Sequence, residues 1–321
     1  MMRRLTWIVG AVAVVAGCDE VRSDACEIGL RSVQENGMNL NGMNLNGMNL
    51  NGMNLNGMNL NGDRLYSADG AGDYVDQLSI ELKGHGDVVS ATLVGSALKV
   101  VTDTGKILTG DKLDKVRFEF ELQEGEKGKH GKSVWIRGAK LLAPDSDIWL
   151  YELDYKLSKG AWMPLCVDHE GEPTQAILLE NVWNPISGAK RTISGSITFA
   201  CSDAALAKCV EWGYRPWASV GGTSLADFHQ ACTRLVRADY CGDGTPHTVT
   251  GTPIHVLDQL GVQKLDENAS FVVEAEWGPN GAVCLNNANM RTGAQPLGCD
   301  IPACGAGFAS GGLIQSGKIV Q

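Results

Sequence analysis

Positive charge is scarce in this chain. Lys and Arg total 27 against 37 Asp and Glu, a net charge of −10. Nucleic-acid binding draws on clustered cations that displace counterions, so an acidic chain of this kind is a poor candidate for it, and no nucleic-acid partner is expected. Long apolar runs are missing too. Nothing approaches the 18 or so consecutive apolar residues that a membrane-crossing helix needs. Motifs with a fixed chemistry are likewise absent: no Gly-x-Ser-x-Gly elbow, no His-Glu-x-x-His, no phosphate-binding loop. No Cys-x₂-Cys pair and no His pair at zinc-finger spacing occurs. Neither a cofactor nor a metal is expected. The 321 residues, 44% hydrophobic, still suffice for one large domain or two ordinary ones.

The start of the chain is informative about location. Arg3 and Arg4 precede an apolar segment from Leu5 to Ala16, which ends in Val15-Ala16-Gly17-Cys18. A charged start, a short apolar middle and small residues before a cut site read as a secretory signal. As a helix the apolar segment rises only ~18 Å, against a bilayer core of ~30 Å. The cysteine after Ala-Gly resembles the bacterial lipobox. That resemblance implies a signal peptide over 1–17, cleavage before Cys18, and lipidation of Cys18 itself. Several acyl chains, each contributing ~0.8 kcal/mol per buried CH₂, anchor stably where one does so marginally. The membrane would then be a partner through the lipid.

Residues 18–37 are polar and read as a tether. From Met38 to Gly62 the unit Met-Asn-Leu-Asn-Gly occurs five times without error. A five-residue period fits neither helix nor plain strand. It resembles the pentapeptide repeat, with Leu40, Leu45, Leu50, Leu55 and Leu60 as central inward residues. The methionines depart from the small residue that family places inward. Four repeats make one solenoid coil, so five bury little on their own. Three readings stand: a flexible spacer, one or two coils docked on the following domain, or a partner site. The energetics favour the spacer.

Residues 65–200 read as β. Leu78–Lys83, Val116–Leu122 and Ile148–Leu153 alternate apolar and polar, as strands with one buried and one wet face do. Further strands are expected near 133–142, 175–180 and 192–200. Turn signals at Lys83–Asp87, Asp103–Gly105, Glu124–Glu126 and Ser158–Gly160 recur often enough to suggest an antiparallel sandwich or open barrel. The basic stretch Lys127–Lys132 reads as a solvated hairpin tip.

Residues 201–305 are cysteine-rich. Apart from Cys18 and Cys26, the cysteines are Cys166, Cys201, Cys209, Cys232, Cys241, Cys284, Cys299 and Cys304. In an exported chain such clustering reads as disulfides, with connectivity left open and Cys26 the odd one out. A short helix is predicted from Asp203 to Trp212. A second, from Leu225 to Ala238, has Ser224 as cap and Asp227 completing a capping box. Leu225, Phe228, Cys232 and Leu235 form its buried stripe, so Cys232 should bridge to Cys209 or Cys241. Cys299 and Cys304 are close enough in sequence to close a small loop. Strands are expected at Thr252–Leu257 and Ser270–Glu276, and residues 306–321 as a C-terminal tail. The fold class is mainly β with a small disulfide-rich helical insert, α+β overall.

The second helix runs into Ala238-Asp239-Tyr240-Cys241-Gly242-Asp243-Gly244. Upstream stand Cys201 and Lys208–Trp217, with Trp212 and Trp217; downstream stand His247-Thr248 and Gly251-Thr252. Together these resemble the ADYC-domain family of bacterial exported proteins, over roughly residues 65–305. The resemblance implies an envelope location and no known activity. Asp239, Asp243 and His247, four apart across a Gly-rich turn, are the candidate catalytic or ligand residues. His229, three residues before Cys232, makes a Cys-His nucleophile conceivable. Trp212, Trp217 and Trp277 are core residues or, alternatively, a carbohydrate-stacking groove. The expected function is a lipid-anchored structural or binding module of the cell envelope, on the periplasmic face or outer membrane, with a protein or glycan partner. The alternative is a periplasmic or surface hydrolase using the Asp239/Asp243/His247 neighbourhood. Whether the chain is an enzyme at all is left open, leaning against.

Overall fold

The computed structural model describes residues 59–60, 65–66, 72–82, 87–114, 116–123, 129–157, 160–168, 171–184, 187–192, 197–202, 204–248, 252–265 and 270–320. The signal segment, Cys18, Cys26, the tether and the first four repeats lie outside these residues.

In chain order the strands are β1 (Asn59–Leu60), β2 (Leu65–Tyr66), β3 (Gly72–Leu82), β4 (Val88–Val94), β5 (Ala97–Thr102), β6 (Ile107–Leu108), β7 (Val116–Gln123), β8 (Lys129–Leu141), β9 (Trp149–Leu157), β10 (Met163–Pro164), β11 (Ala176–Glu180), β12 (Val182–Trp183), β13 (Lys190–Arg191) and β14 (Ile197–Cys201). Helix α1 (Ala205–Glu211) follows, then the ribbon β15 (Ser219–Val220) with β16 (Thr223–Ser224), and helix α2 (Ala226–Arg237). The chain closes with β17 (His255–Asp258), β18 (Ser270–Gly278), β19 (Gly281–Leu285) and β20 (Ile314–Val320).

A nine-stranded antiparallel sheet runs β1-β14-β11-β9-β8-β7-β3-β2, with β10 paired to β9. The small sheet β4-β5-β6 contributes Leu98, Val100 and Leu108 to one core, where they meet Phe118, Val134, Ile136, Leu178 and Phe199 of the large sheet. Alternation does this work. In β5, Leu98, Val100 and Thr102 are buried while their neighbours are half-buried. At the other end of the sheet, β11 and β14 are apolar on both faces, because Ile177, Leu179 and Ala200 join a second core under the helices. That core reaches the sheet β17-β20-β18-β19 through Val256, Ala275, Trp277 and Ile314. The molecule is mainly antiparallel β with a small helical part.

Several details differ from the sequence reading. No capping box forms on α2: its N-cap is Leu225, without a side-chain cap bond. Ser224 is held in the β15–β16 ribbon, and its hydroxyl accepts from the Ala226 amide instead, at 3.2 Å. Cys299 and Cys304 do not close a loop on each other. The bridges are Cys166–Cys201, Cys209–Cys232, Cys241–Cys299 and Cys284–Cys304. Residues 306–321 are more than a tail, since β20 lies between β17 and β18. Lys129–Lys132, read as a hairpin tip, is already strand β8. The predicted strand at 252–257 shifts to His255–Asp258. Finally, the last Met-Asn-Leu-Asn-Gly copy supplies β1, with Asn59 opposite Thr198 and Leu60 opposite Ile197.

Candidate functional site

The Ala238–Gly244 turn is built by the end of α2. Ala238 adopts the left-handed conformation, φ 52°, and its amide closes the helix on the Arg234 and Leu235 carbonyls. Glycine normally takes this place, but Ala238 is fully buried and its methyl belongs to the second core. The reversal sends Asp239 inward. Its carboxylate ion-pairs with Arg234 and accepts the Gly244 amide at 3.1 and 3.0 Å. Arg237, also buried, donates to the Gly244 carbonyl, and burial pulls its guanidinium down to about 10.

Asp243 and His247 are placed elsewhere. Asp243 is exposed and accepts the Thr245 amide at 2.8 Å; that bond holds its carboxyl below the usual range. His247 pairs through Nδ1 with the Ala238 carbonyl at 3.2 Å, and its ring tilts against Tyr240. Asp239 thus faces the interior, Asp243 faces solvent, and each serves a different backbone amide. The three candidates form a folded turn in which no carboxylate oxygen of Asp239 is left over for a proton or a metal. Among the described residues no group of three or more His, Cys, Asp and Glu is arranged to hold a metal.

The Cys-His pair does not exist as a nucleophile. Cys232 is bridged to Cys209, and His229 is fully buried with Nε2 2.9 Å from the Leu206 carbonyl. Burial drives its pKa down to about 3. The tryptophans divide. Trp212 and Trp277 are core residues, which removes them from any sugar groove, while Trp217 is half-buried and donates to Asp147 at 2.8 Å.

The turn sits on residues the sequence reading passed over. Tyr240 stacks on Trp277 at 5.2 Å and donates to Glu274 at 2.6 Å. Glu274 also accepts from Ser316 at 2.7 Å and from Arg291 at 2.7–3.2 Å. Arg291 in turn donates to the Leu235 carbonyl at 2.9 Å. Burial opposes ionisation of Glu274, yet the Arg291 charge and these donors hold its carboxyl below the usual range. Burial raises Tyr240, which stays protonated. The network links α2, the turn, β18 and β20. A signal was present: Glu274 and Glu276 alternate with apolar residues in β18, and both acids are buried. Gly242 lets the turn approach this sheet. A Cβ there would fall 1.7 Å from the Asn280 carbonyl oxygen. Cys241–Cys299 then fixes the turn to the loop after β19.

A family model described as the ADYC domain matches residues 90–291. No curated protein and no solved structure matches the chain.

Proposed function

The chain belongs to the ADYC-domain family, and from that premise we propose that it is an exported, lipid-anchored module of the bacterial cell envelope that binds or scaffolds rather than catalyses. The observation that carries the non-catalytic part is the commitment of Asp239: both oxygens are occupied by Arg234 and the Gly244 amide. General acid–base work requires a group within reach of a substrate proton, and here the acid is fully buried and spoken for. Four disulfides fit folding in an oxidising environment. The anchor rests on Val15-Ala16-Gly17-Cys18, and the repeats serve as a spacer whose last copy touches the domain edge.

Replacing Cys18 by Ala tests the anchor. The wild-type chain should carry the mass of its lipids and lack residues 1–17; Cys18→Ala should lack the lipid mass and keep its signal uncut. Equal mass shifts in the two, or a wild-type chain without lipid mass, would overturn the lipoprotein reading. The non-catalytic part is tested with Asp243→Asn and His247→Gln, which should leave the chain's envelope partner, isolated by cross-linking in intact cells, still bound. Accumulation of an uncleaved envelope substrate in these variants would instead support the hydrolase.

A further inference from the structure

The outer face of the large sheet carries an alternating row of cations and indoles. Lys156 Nζ lies 5.1 Å from the Trp162 ring centroid, and the Arg117 guanidinium lies 5.2 Å from the same ring. Arg117 is also 4.7 Å from the Trp135 ring, and Arg137 is 4.1 Å from it. The two indoles meet edge to face at 5.5 Å. The order is therefore Lys156, Trp162, Arg117, Trp135, Arg137.

The strands place these residues. Register sets Arg117 of β7 opposite Trp135 of β8, and Trp135 opposite Asp154 of β9. Lys156 follows Asp154 on the same face by strand periodicity. Between Ile136 and Gly138 the β8–β9 register shifts, leaving Arg137 as the extra residue of a bulge. Bulges re-aim side chains, and this one carries Arg137 over Trp135. Trp162, the residue before β10, lies over the same face. Trp135 is fixed further by its Nε1–H, which donates to the Asp114 carbonyl at 2.7 Å.

We propose that this ladder is a binding site for an acidic polysaccharide carrying a carboxylate on its sugar units. The proposal rests on the envelope-module reading and names its ligand. A guanidinium lying on an indole keeps its N–H edge free and oriented for a carboxylate. Among the described residues Arg117 has no hydrogen-bonding or carboxylate partner, and Arg137 has only Asp154, at 3.5 Å with its own side chain 46% exposed. On a chain of net charge −10, Lys156, Arg117 and Arg137 stand together in one row, and grouped cations of this kind attract an anionic ligand. Acids share the face, since Asp154 of β9 is the register partner of Trp135 and Glu152 that of Gly138. Single exposed ion pairs are weak, so a lone carboxylate would be poorly held. A polymer engages all three cations together. The cations cover the indole rings, so it is the repeat of carboxylates along the polymer, one on each sugar unit, that matches the row of three. An anionic bilayer is the poorer fit, because penetration needs exposed apolar side chains and Met163, 41% exposed, is the one large apolar neighbour of Trp162 in sequence.

The test uses the full chain in neutral detergent with polygalacturonate oligomers as probe and dextran of equal length as control. Polygalacturonate should bind, dextran should not, and raising salt from about 50 to about 500 mM should weaken binding. Arg117→Gln with Arg137→Gln should weaken it about tenfold or more, and Lys156→Gln by about threefold. Arg117→Lys with Arg137→Lys should recover part of the loss, since charge returns without the planar fork. An unchanged melting temperature in each variant shows that the fold persists. No binding at millimolar oligomer, equal binding of dextran, indifference to the double substitution, or binding to phosphatidylglycerol vesicles that polygalacturonate does not displace would each overturn the proposal. Lipid mass on the same preparation depends on Cys18, so failure of the ladder and failure of the envelope reading give separate results.

Discussion

Arg and acidic residues occur on both sides of this molecule, and they do opposite things. Around Tyr240 they are buried, paired and saturated with donors: Arg234 with Asp239, Arg291 with Glu274. On the outer face of β7–β9 they are accessible, stacked on indoles and sparsely paired. The first region carries three of the four disulfides, closing spans of 23, 58 and 20 residues. The second has none. A polar group holds a fold together when its partners are inside the chain, and it recognises something else when its partners are missing. Asp239 and Tyr240, on which the family resemblance was read, fall in the first class. Their partners lie within the chain, and the proposed recognition surface is the second region.

The sharpest way to break this contrast is to remove the cross-links. Reduction should destabilise residues 201–305 by far more than the β-rich segment before them. Each bridge contributes on the order of 2–5 kcal/mol, with Cys241–Cys299 worth more than Cys284–Cys304 because it closes the longer loop. Hydrogen exchange with and without reductant reads this region by region. Equal loss of protection on both sides would mean that the two regions unfold as one cooperative unit.

Arg291→Ala should come next. It strands Glu274 in the interior with a negative charge, and breaking a buried pair in this way costs about 3–5 kcal/mol. Urea unfolding should show it. The double variant Arg291→Ala with Glu274→Gln should recover part of the loss, because the orphaned charge goes too. Substituting Arg117 on the exposed ladder should change stability by less than about 1 kcal/mol. A comparable loss at both sites would erase the distinction.

Acid sharpens the comparison further. The folded pKa of His229 is about 3, below its unfolded value of ~6.5. The unfolded chain therefore takes the proton first, and stability should fall as pH drops from about 6.5 towards about 3. Glu274 is also depressed in the fold. Its contribution is complete above the unfolded carboxylate range near pH ~4.3 and is lost as pH falls below it. His229→Gln, whose amide can still donate to Leu206, should flatten the slope between about pH 6.5 and 4.5 while leaving the steeper loss below it. An unchanged slope in the variant would place the responsible proton elsewhere.

Much of the architecture was legible in the sequence, for physical reasons that also mark where legibility stops. Period-two alternation found β7 and β9, and the Leu225/Phe228/Cys232/Leu235 stripe found α2, because both patterns are local. Burial of both faces of β11 and β14 was harder to foresee, since it depends on where α1 and α2 pack. Pairing of Cys299 with Cys241 was not readable from spacing: sequence neighbours Cys299 and Cys304 are drawn to different elements. The burial of the β18 acids was not readable, because alternation separates two faces without saying which is wet. Asp239, Asp243 and His247 share a spacing but not a direction, and the left-handed Ala238 that divides them leaves no trace in hydropathy. The ladder was missed because its indoles, Trp135 and Trp162, come from separate stretches joined only by the register and a bulge.

The smallest effect is expected at the repeats, which belong to neither region. Of the 25 residues in the array, the two described ones, Asn59 and Leu60, pair with β14. Ordering a residue costs on the order of 1–2 kcal/mol in backbone entropy, and a two-residue pairing returns about one hydrogen bond's worth for each bond formed, ~0.5–1.5 kcal/mol. Deleting all five copies should therefore shift the melting temperature by no more than about 2–4 °C, while shortening the reach between anchor and domain. Deleting one copy is the finer probe. The copies are identical, so whichever is removed the remaining chain still reads Asn-Leu-Asn-Gly before Asp63, and β14 meets the same strand as before. One deletion should then leave the melting temperature unmoved. Stepwise loss with each copy removed would mean that the copies stack on one another and on the sheet edge. The array would then be a docked coil that protects an open strand, and the spacer reading would fall.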